Sequence, residues 1–132
     1  MASVRREVLV TEKVPKAIGP YSVGILTENL VFVSGTLGID PKTGEFVPGG
    51  IEGETRQALQ NLTSVLEAGG SSLDQVVKTT VFMRDINDFS RMNAIYADFF
   101  PKDPPARSTF QVAALPKGAA VEIEAIAVLD EV

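Results

Sequence analysis

An amphipathic pattern between residues 51 and 68 constrains the fold of this chain more than any other feature. Apolar or small side chains recur there every three or four residues, the spacing of one helix face: Ile51, Thr55, Ala58, Leu59, Leu62, Val65 and Leu66. The opposite face is charged or carries amides, and Gly69 and Gly70 follow directly. Glycines in this place supply the left-handed backbone that commonly ends a helix. The pattern predicts a helix over residues 51–68 that lies on an apolar surface.

Runs of β-branched and aromatic residues predict a sheet as that surface. The predicted strands share this composition and are bounded by glycine, proline or polar residues: 30–35, 76–83, 107–113 and 121–128, with weaker strands at 5–10 and 21–26. Proline and glycine in residues 40–44 (DPKTG) are placed as in a tight turn. The chain therefore alternates between strand-forming segments and a helix-forming one.

A second helix is predicted from about residue 87 to residue 100, with Asp85 or Asn87 as its N-cap. Its inward positions are largely aromatic or apolar: Phe89, Met92, Asn93, Tyr96, Phe99 and Phe100. Asn93 interrupts this apolar face. The element order predicts one α+β domain over residues 1–132, with two helices packed on one face of a mixed sheet.

The second face of such a sheet has no helix left to cover it. Strands of this apolarity are poorly soluble when exposed, and another copy of the same sheet is the simplest cover. The sequence therefore predicts a homo-oligomer.

Composition excludes several classes of chemistry. The chain has 12 basic and 17 acidic residues, a formal net charge of -5, which disfavours binding to nucleic acid. It has no cysteine and no histidine, which excludes a thiolate nucleophile, an imidazole base and the commonest metal ligand. No signal-peptide-like or membrane-spanning segment is found, so we expect a protein that is neither secreted nor bound to a membrane.

Arg107 leads into the apolar stretch PPARSTFQVAALP, where a permanent charge needs an anion. Strand alternation places Arg107, Thr109 and Gln111 on one face. In the last strand, Glu122 and Glu124 share a mostly apolar face, which is costly unless they are paired. Two interpretations stay open: a structural ion pair of Arg107 with either glutamate at a subunit contact, or an arginine that binds a substrate carboxylate while Glu122 activates a water.

Four other positions have both a structural and a functional interpretation. Tyr21, after a Gly-Pro turn, could simply pack its ring, and Ser34 and Gly35 could simply end a strand. Asn93 could be a polar link to a neighbouring loop or helix. Each could instead contact a ligand.

Several segments together resemble one known family. P-A-R-S-T-F-Q-V-A-A-L-P from Pro105, followed by V-E-I-E-A, is similar to the signature of the RidA (YjgF/YER057c/UK114) family. AIGPYS, VFVSGTLGIDPKTGE, KTTVFMRDINDF and MNAIYADFF also resemble the family and occur in its order. The resemblance covers nearly the whole chain.

The resemblance implies a fold and an activity. The fold is a chorismate-mutase-like α+β sheet, and three subunits form a central barrel with their sites in the clefts between them. The activity is hydrolysis of reactive 2-imino acids or enamines, such as 2-iminobutanoate and 2-iminopropanoate, to 2-oxo acids and ammonia, without a cofactor or metal. The compartment would be the cytoplasm or the matrix of a mitochondrion or plastid.

The resemblance also implies roles for single residues. Arg107 matches the carboxylate-binding arginine, Glu122 the water-orienting glutamate and Tyr21 the site tyrosine. Ser34 and Gly35 match a pair that contacts ligand through its backbone. The remaining matched positions line the pocket: Phe89, Asn93 and Thr109, the last of which replaces a cysteine found in many relatives.

Two other functions stay open at this point. One is a non-catalytic sensor that binds 2-oxo acids through the same arginine. The other is a ribonuclease or translation inhibitor, as described for some relatives, which the acidic charge balance and the missing histidine disfavour.

Overall fold

The sheet has six strands, and the computed structural model describes residues 5–129. The strands run in the spatial order β1-β2-β3-β6-β4-β5, and β4 and β5 are parallel while every other pair is antiparallel. Their bounds are Arg6–Leu9 (β1), Gly24–Thr27 (β2), Leu30–Leu37 (β3), Val76–Met83 (β4), Ala106–Gln111 (β5) and Val121–Val128 (β6). Two helices complete the fold: α1, Gly50–Ala68, and α2, Phe89–Phe99.

Helix α1 forms as its sequence pattern predicts. Its apolar face is buried, and Leu59, Leu62 and Leu66 are fully inaccessible. Gly70, beyond its end, has a φ of 83°, the left-handed conformation that glycine adopts without steric cost. Complete burial of a leucine side chain contributes roughly 1.5–3 kcal/mol, so these side chains hold the helix on the sheet.

Helix α2 begins later than predicted. Residues 86–88 form a 3-10 turn, and the Asp85 side chain accepts a hydrogen bond from the Asn87 N–H at 2.9 Å at the head of that turn. The cap therefore precedes a tighter turn, and the α-helix starts only at Phe89. Met92, Tyr96 and Phe100 are buried as predicted, whereas Phe89, predicted as inward-facing, is 37% exposed at the helix start.

Strand bounds agree with the prediction where β-branched residues are continuous. β4 and β6 match it residue for residue. β2 starts at Gly24 instead of residue 21, because Tyr21 donates its N–H to the Gly19 carbonyl at 2.9 Å in a tight turn. β5 runs over residues 106–111 and not 107–113.

Both helices cover the same face of the sheet, so the predicted α+β class with two helices on one face is confirmed. Alternate residues of β6 face this layer and are buried: Val121, Ile123, Ala125 and Ala127. The other face carries no covering element within residues 5–129, and we call it the open face. Its apolar side chains are Val8, Ile25, Phe32, Phe82, Phe110 and Ile126.

Neither helix in the described residues is long and apolar enough to cross a membrane.

Candidate functional site

Arg107 lies on the helix-covered face of β5, at the edge of the sheet. It is paired in register with Thr79, whose side chain is fully buried beneath the helices. The guanidinium carbon of Arg107 lies 4.7 Å from the centre of the Tyr96 ring and 5.5 Å from that of Phe89. Cations are attracted to aromatic faces at these distances. Helix α2 therefore positions the arginine through two rings that lie two turns apart on its sequence.

The Arg107 guanidinium forms no ion pair within residues 5–129. The arginines that pair with aspartate or glutamate there are Arg5, Arg56 and Arg91. The alternative of a structural pair with Glu122 or Glu124 is therefore not realised inside one chain. The two aromatic rings contact the guanidinium but carry no negative charge that would neutralise it. Its hydrogen-bonding edge is available for an anion such as a carboxylate.

Two buried polar atoms on the elements that carry Arg107 and its aromatic neighbours have no hydrogen-bond partner in the described part of the chain. They are Oδ1 of Asn93 and Oγ1 of Thr109. Asn93 is one helical turn from Phe89, and Thr109 follows Arg107 on the same face of β5. Buried polar atoms usually find a partner. We call Phe89, Asn93, Arg107 and Thr109 the arginine cluster, and its two unpaired oxygens are candidate hydrogen-bonding groups for a ligand.

A second group of predicted site residues includes Glu122, whose side chain lies on the open face and contacts Gly35. A Cβ atom built on Gly35 would lie only 2.5 Å from Cδ of Glu122, so the carboxyl packs directly on the glycine backbone. Burial raises the pKa of Glu122, and the negative charge of Glu124 raises it further. A carboxyl with a raised pKa exchanges protons more readily near neutral pH.

Tyr21, Ser34 and Gly35 line one cavity of about 430 Å³, and Gly35 is also the residue on which the Glu122 carboxyl packs. The Ser34 hydroxyl donates to the Ser22 carbonyl, which ties β3 to the segment that carries Tyr21. The Tyr21 hydroxyl accepts a long hydrogen bond of 3.4 Å from the Ile18 N–H. We call Tyr21, Ser34, Gly35 and Glu122 the glutamate cluster.

Arg107 and Glu122 lie on opposite faces of the sheet. Arg107 is in register with Thr79, on the helix side, whereas Glu122 is in register with Phe82, which faces the other way and packs edge-on against Phe110. One chain therefore does not bring Arg107 and Glu122 to the same small molecule. A site that uses both residues requires two chains, each contributing one cluster.

Sequence reasoning missed two features of these surroundings. Tyr96 was predicted only as a core residue, yet its ring lies beside the Arg107 guanidinium. The seven-residue spacing between Phe89 and Tyr96 was the signal available in the sequence.

The second feature is a set of lysines: Lys16, Lys42 and Lys117 line the cavity of the glutamate cluster. They come from three separate loops, which local patterns do not connect. Among the described residues, no group of three or more acidic side chains is arranged to hold a metal ion.

Comparison with known proteins gives consistent results. The family model described as Endoribonuclease L-PSP matches residues 11–129. The chain is 52% identical to the 2-iminobutanoate/2-iminopropanoate deaminase of Rattus norvegicus, over 97% of this chain and 93% of that protein. It is also 52% identical to the chloroplastic Reactive Intermediate Deaminase A of Arabidopsis thaliana, over 97% of this chain and 68% of the relative. The solved structure of E. coli TdcF with bound serine superimposes with a TM-score of 0.90 at 40% identity, covering 94% of this chain and 99% of the other.

Proposed function

Since this chain belongs to the Endoribonuclease L-PSP family, which includes the RidA deaminases, we propose that it is an enzyme that hydrolyses 2-imino acids to 2-oxo acids and ammonia. 2-Iminobutanoate and 2-iminopropanoate are the proposed substrates, as in the names of the relatives that are about half identical over nearly the whole chain. The observation that carries the proposal is Arg107, whose guanidinium lies close to two aromatic rings and whose charge is unpaired within residues 5–129.

Arg107 binds the substrate carboxylate in this proposal. Its planar fork matches the two carboxylate oxygens, and charge-assisted hydrogen bonds of this kind are about twice as strong as neutral ones. Tyr96 and Phe89 fix the plane of the fork. The unpaired Oδ1 of Asn93 can accept a hydrogen bond from the imine N–H, and the Thr109 hydroxyl can donate one to the substrate. E. coli TdcF, which binds serine, shows that this fold accommodates a small molecule with the same carboxylate.

Glu122 acts as the general acid–base group in this proposal. Water forms a new C–O bond at C2 of the protonated imine, and Glu122 takes one proton from it. The resulting carbinolamine receives that proton on its nitrogen. The C–N bond then breaks, ammonia leaves, and the hydroxyl proton is lost as the 2-oxo acid forms. An imine is already electrophilic, so orientation and proton transfer are enough and no cofactor is required.

The complete site combines the arginine cluster of one subunit with the glutamate cluster of another. The opposite placement of Arg107 and Glu122 supports this arrangement, and so does the apolar open face, where Phe32 and Phe110 are 40% and 46% exposed. We propose a homotrimer in which three open faces enclose a central barrel. The compartment stays a prediction: the cytoplasm or an organelle matrix, and the chloroplastic relative is an example of the latter.

The test couples this protein to a threonine dehydratase and follows formation of 2-oxobutanoate under conditions where spontaneous imine hydrolysis is slow. Arg107→Ala is expected to abolish the acceleration while the oligomer mass stays unchanged. Arg56→Ala is the matched control, because Arg56 also lies over an aromatic ring, that of Phe99, but outside both clusters. Near-normal activity of Arg107→Ala, or equal losses in both variants, would contradict the role of Arg107.

Two alternatives give different results in the same experiments. A 2-oxo acid sensor would bind 2-oxobutanoate through Arg107 without accelerating imine loss. A ribonuclease, as the name of the family model suggests, would cleave RNA after extensive purification and would keep that activity in Arg107→Ala. The net charge of -5 disfavours RNA binding.

A further inference from the structure

The wall of the cavity beside the glutamate cluster carries positive charge, whereas the chain as a whole is negatively charged. Its wall includes Lys16, Lys42 and Lys117 but no aspartate or glutamate, although acidic residues outnumber basic ones by 17 to 12 over the whole sequence. Three lysines thus line one cavity, and none of them forms an ion pair within the described residues.

The backbone at Lys117 is in an unusual conformation. Its φ is 56° and its ψ is 20°, in the left-handed region, between Pro116 and Gly118. Few residues other than glycine adopt these angles, and glycine would do so at less cost. The lysine side chain is therefore kept at the cavity wall despite a local backbone penalty, which points to a role for its charge.

The loop that carries Lys42 is held by its own hydrogen bonds, separate from the turn at Lys117. The Lys42 N–H donates to Oδ1 of Asp40 at 2.8 Å, and the Gly44 N–H donates to the Asp40 carbonyl at 2.9 Å. Isolated surface lysines are common, but here three lysines, from two well-defined turns and the Lys16 loop, line the same cavity. Charges of one sign that line a concave surface focus their field into it.

We propose that Lys16, Lys42 and Lys117 form a cationic entrance that attracts anionic 2-imino acids to the site. This inference rests on the proposed function and adds a substrate class to it. The cavity of about 430 Å³ also falls within the range of roughly 300–1,000 Å³ typical of small-molecule pockets, so it leaves room for a substrate longer than four carbons. Imino acids with a second, distal carboxylate therefore gain most from the entrance, because electrostatic attraction grows in proportion to the substrate's charge.

The test compares two double variants that each remove two positive charges. Lys42→Gln with Lys117→Asn removes charge from the cavity, and asparagine tolerates the left-handed backbone better than most residues. Lys13→Gln with Lys102→Gln removes charge from two exposed lysines outside the cavity wall. Substrates are generated in place: 2-iminobutanoate by a threonine dehydratase, and 2-iminoglutarate by an oxidase that acts on glutamate.

The cavity variant is expected to lose about 3-fold in kcat/KM for 2-iminobutanoate and about 10-fold for 2-iminoglutarate at low salt, with kcat little changed. Salt should reduce the activity of the unaltered protein and should reduce that of the cavity variant less, since exposed charges are screened. The Lys13/Lys102 control should follow the unaltered protein.

Equal kcat/KM in the two double variants, or a salt dependence that is the same in all three proteins, would overturn the cationic entrance. That result is distinguishable from failure of the proposed function, in which the unaltered protein would not accelerate hydrolysis of 2-iminobutanoate at all. Loss of kcat without a change in salt dependence would indicate a distorted site and would also count against the entrance.

Discussion

Gly35 and Glu122 lie in direct contact across β3 and β6, with the glycine backbone occupying the space that a side chain would need. A Cβ atom at position 35 would lie 2.5 Å from Cδ and 2.8 Å from Oε2 of Glu122. Real Cβ atoms do not approach other atoms so closely, so any larger residue must displace the carboxyl. The absence of a side chain at position 35 therefore helps to fix the proposed proton-transfer group.

Gly35→Ala is expected to lower kcat by at least about 10-fold, because a misplaced catalytic group loses much of its effect on the barrier. The readout is the coupled 2-oxobutanoate assay. Gly19→Ala is the control: a Cβ there would meet only Tyr21 ring atoms at an ordinary 3.7 Å. Its activity should stay close to that of the unaltered protein.

A double-variant cycle shows whether the loss acts through the carboxyl. In the background of Glu122→Gln, the added Gly35→Ala change should cost much less activity than it does alone. Fully additive losses would show that position 35 acts in another way.

The acidity of Glu122 predicts a pH dependence. Burial and the charge of Glu124 raise the pKa of Glu122, and only the carboxylate form can accept a proton from water. The ratio kcat/KM should therefore fall as the pH drops through that raised pKa. Glu124→Gln removes one cause of the shift, so the acid limb of the profile should move to lower pH while the plateau changes little. An unmoved limb would show that another group controls it.

The raised pKa of Glu122 also predicts how the folding stability depends on pH. A raised pKa means that the folded chain binds this proton more tightly than the unfolded chain does. Its contribution to stability is complete at low pH and is lost as the pH rises through the folded-state pKa. Glu122→Gln should therefore gain in unfolding free energy, relative to the unaltered protein, between acidic and neutral pH. Urea unfolding at a fixed protein concentration measures the difference.

The sequence predicted the elements better than it predicted how their faces combine. Alternation correctly placed Arg107 with Thr109 and Glu122 with Glu124, because the pattern within one strand is local. It could not show that Arg107 and Glu122 face opposite sides, since this depends on the register of both strands against β4. That register is set by long-range packing beneath the helices. The contacts of Arg107 with Tyr96 and Phe89 were hidden for the same reason.

The buried hydrogen bond between Thr79 and Tyr96 supports the arginine cluster from below. Their hydroxyl oxygens lie 2.7 Å apart. Tyr96→Phe leaves the fully buried Thr79 hydroxyl without this partner, so we expect a loss of about 1–3 kcal/mol in unfolding free energy. Urea unfolding measures it. Adding Thr79→Val should restore part of the loss, because both polar groups are then absent.

Kinetic measurements distinguish the role of the Tyr96 ring from that of its hydroxyl. Phenylalanine keeps the aromatic face beside Arg107, so KM should change little in Tyr96→Phe. Tyr96→Leu removes that face and should raise KM several-fold, since a cation–π contact contributes about 0.5–2 kcal/mol. Equal KM values in the two variants would show that the ring does not position the arginine.

Phe32 tests whether the open face is an interface between copies of the chain. It lies in register with Ile25 and Ile126 near the middle of the sheet and is 40% exposed. A carboxylate at this position would have to be buried against another sheet without a partner, which costs several kcal/mol. Phe32→Asp should therefore shift the mass measured by light scattering from the oligomer toward a single chain.

The assembly and the chemistry are linked, because the proposed site needs clusters from two chains. Phe32→Asp should lose imine hydrolysis together with the oligomer, although Phe32 belongs to neither cluster. Gln60→Asp is the control, since it introduces the same charge on the exposed side of α1, in the layer away from the open face. It should keep both mass and activity. A monomeric Phe32→Asp protein with full activity would show that one chain contains the whole site and would refute the two-chain arrangement.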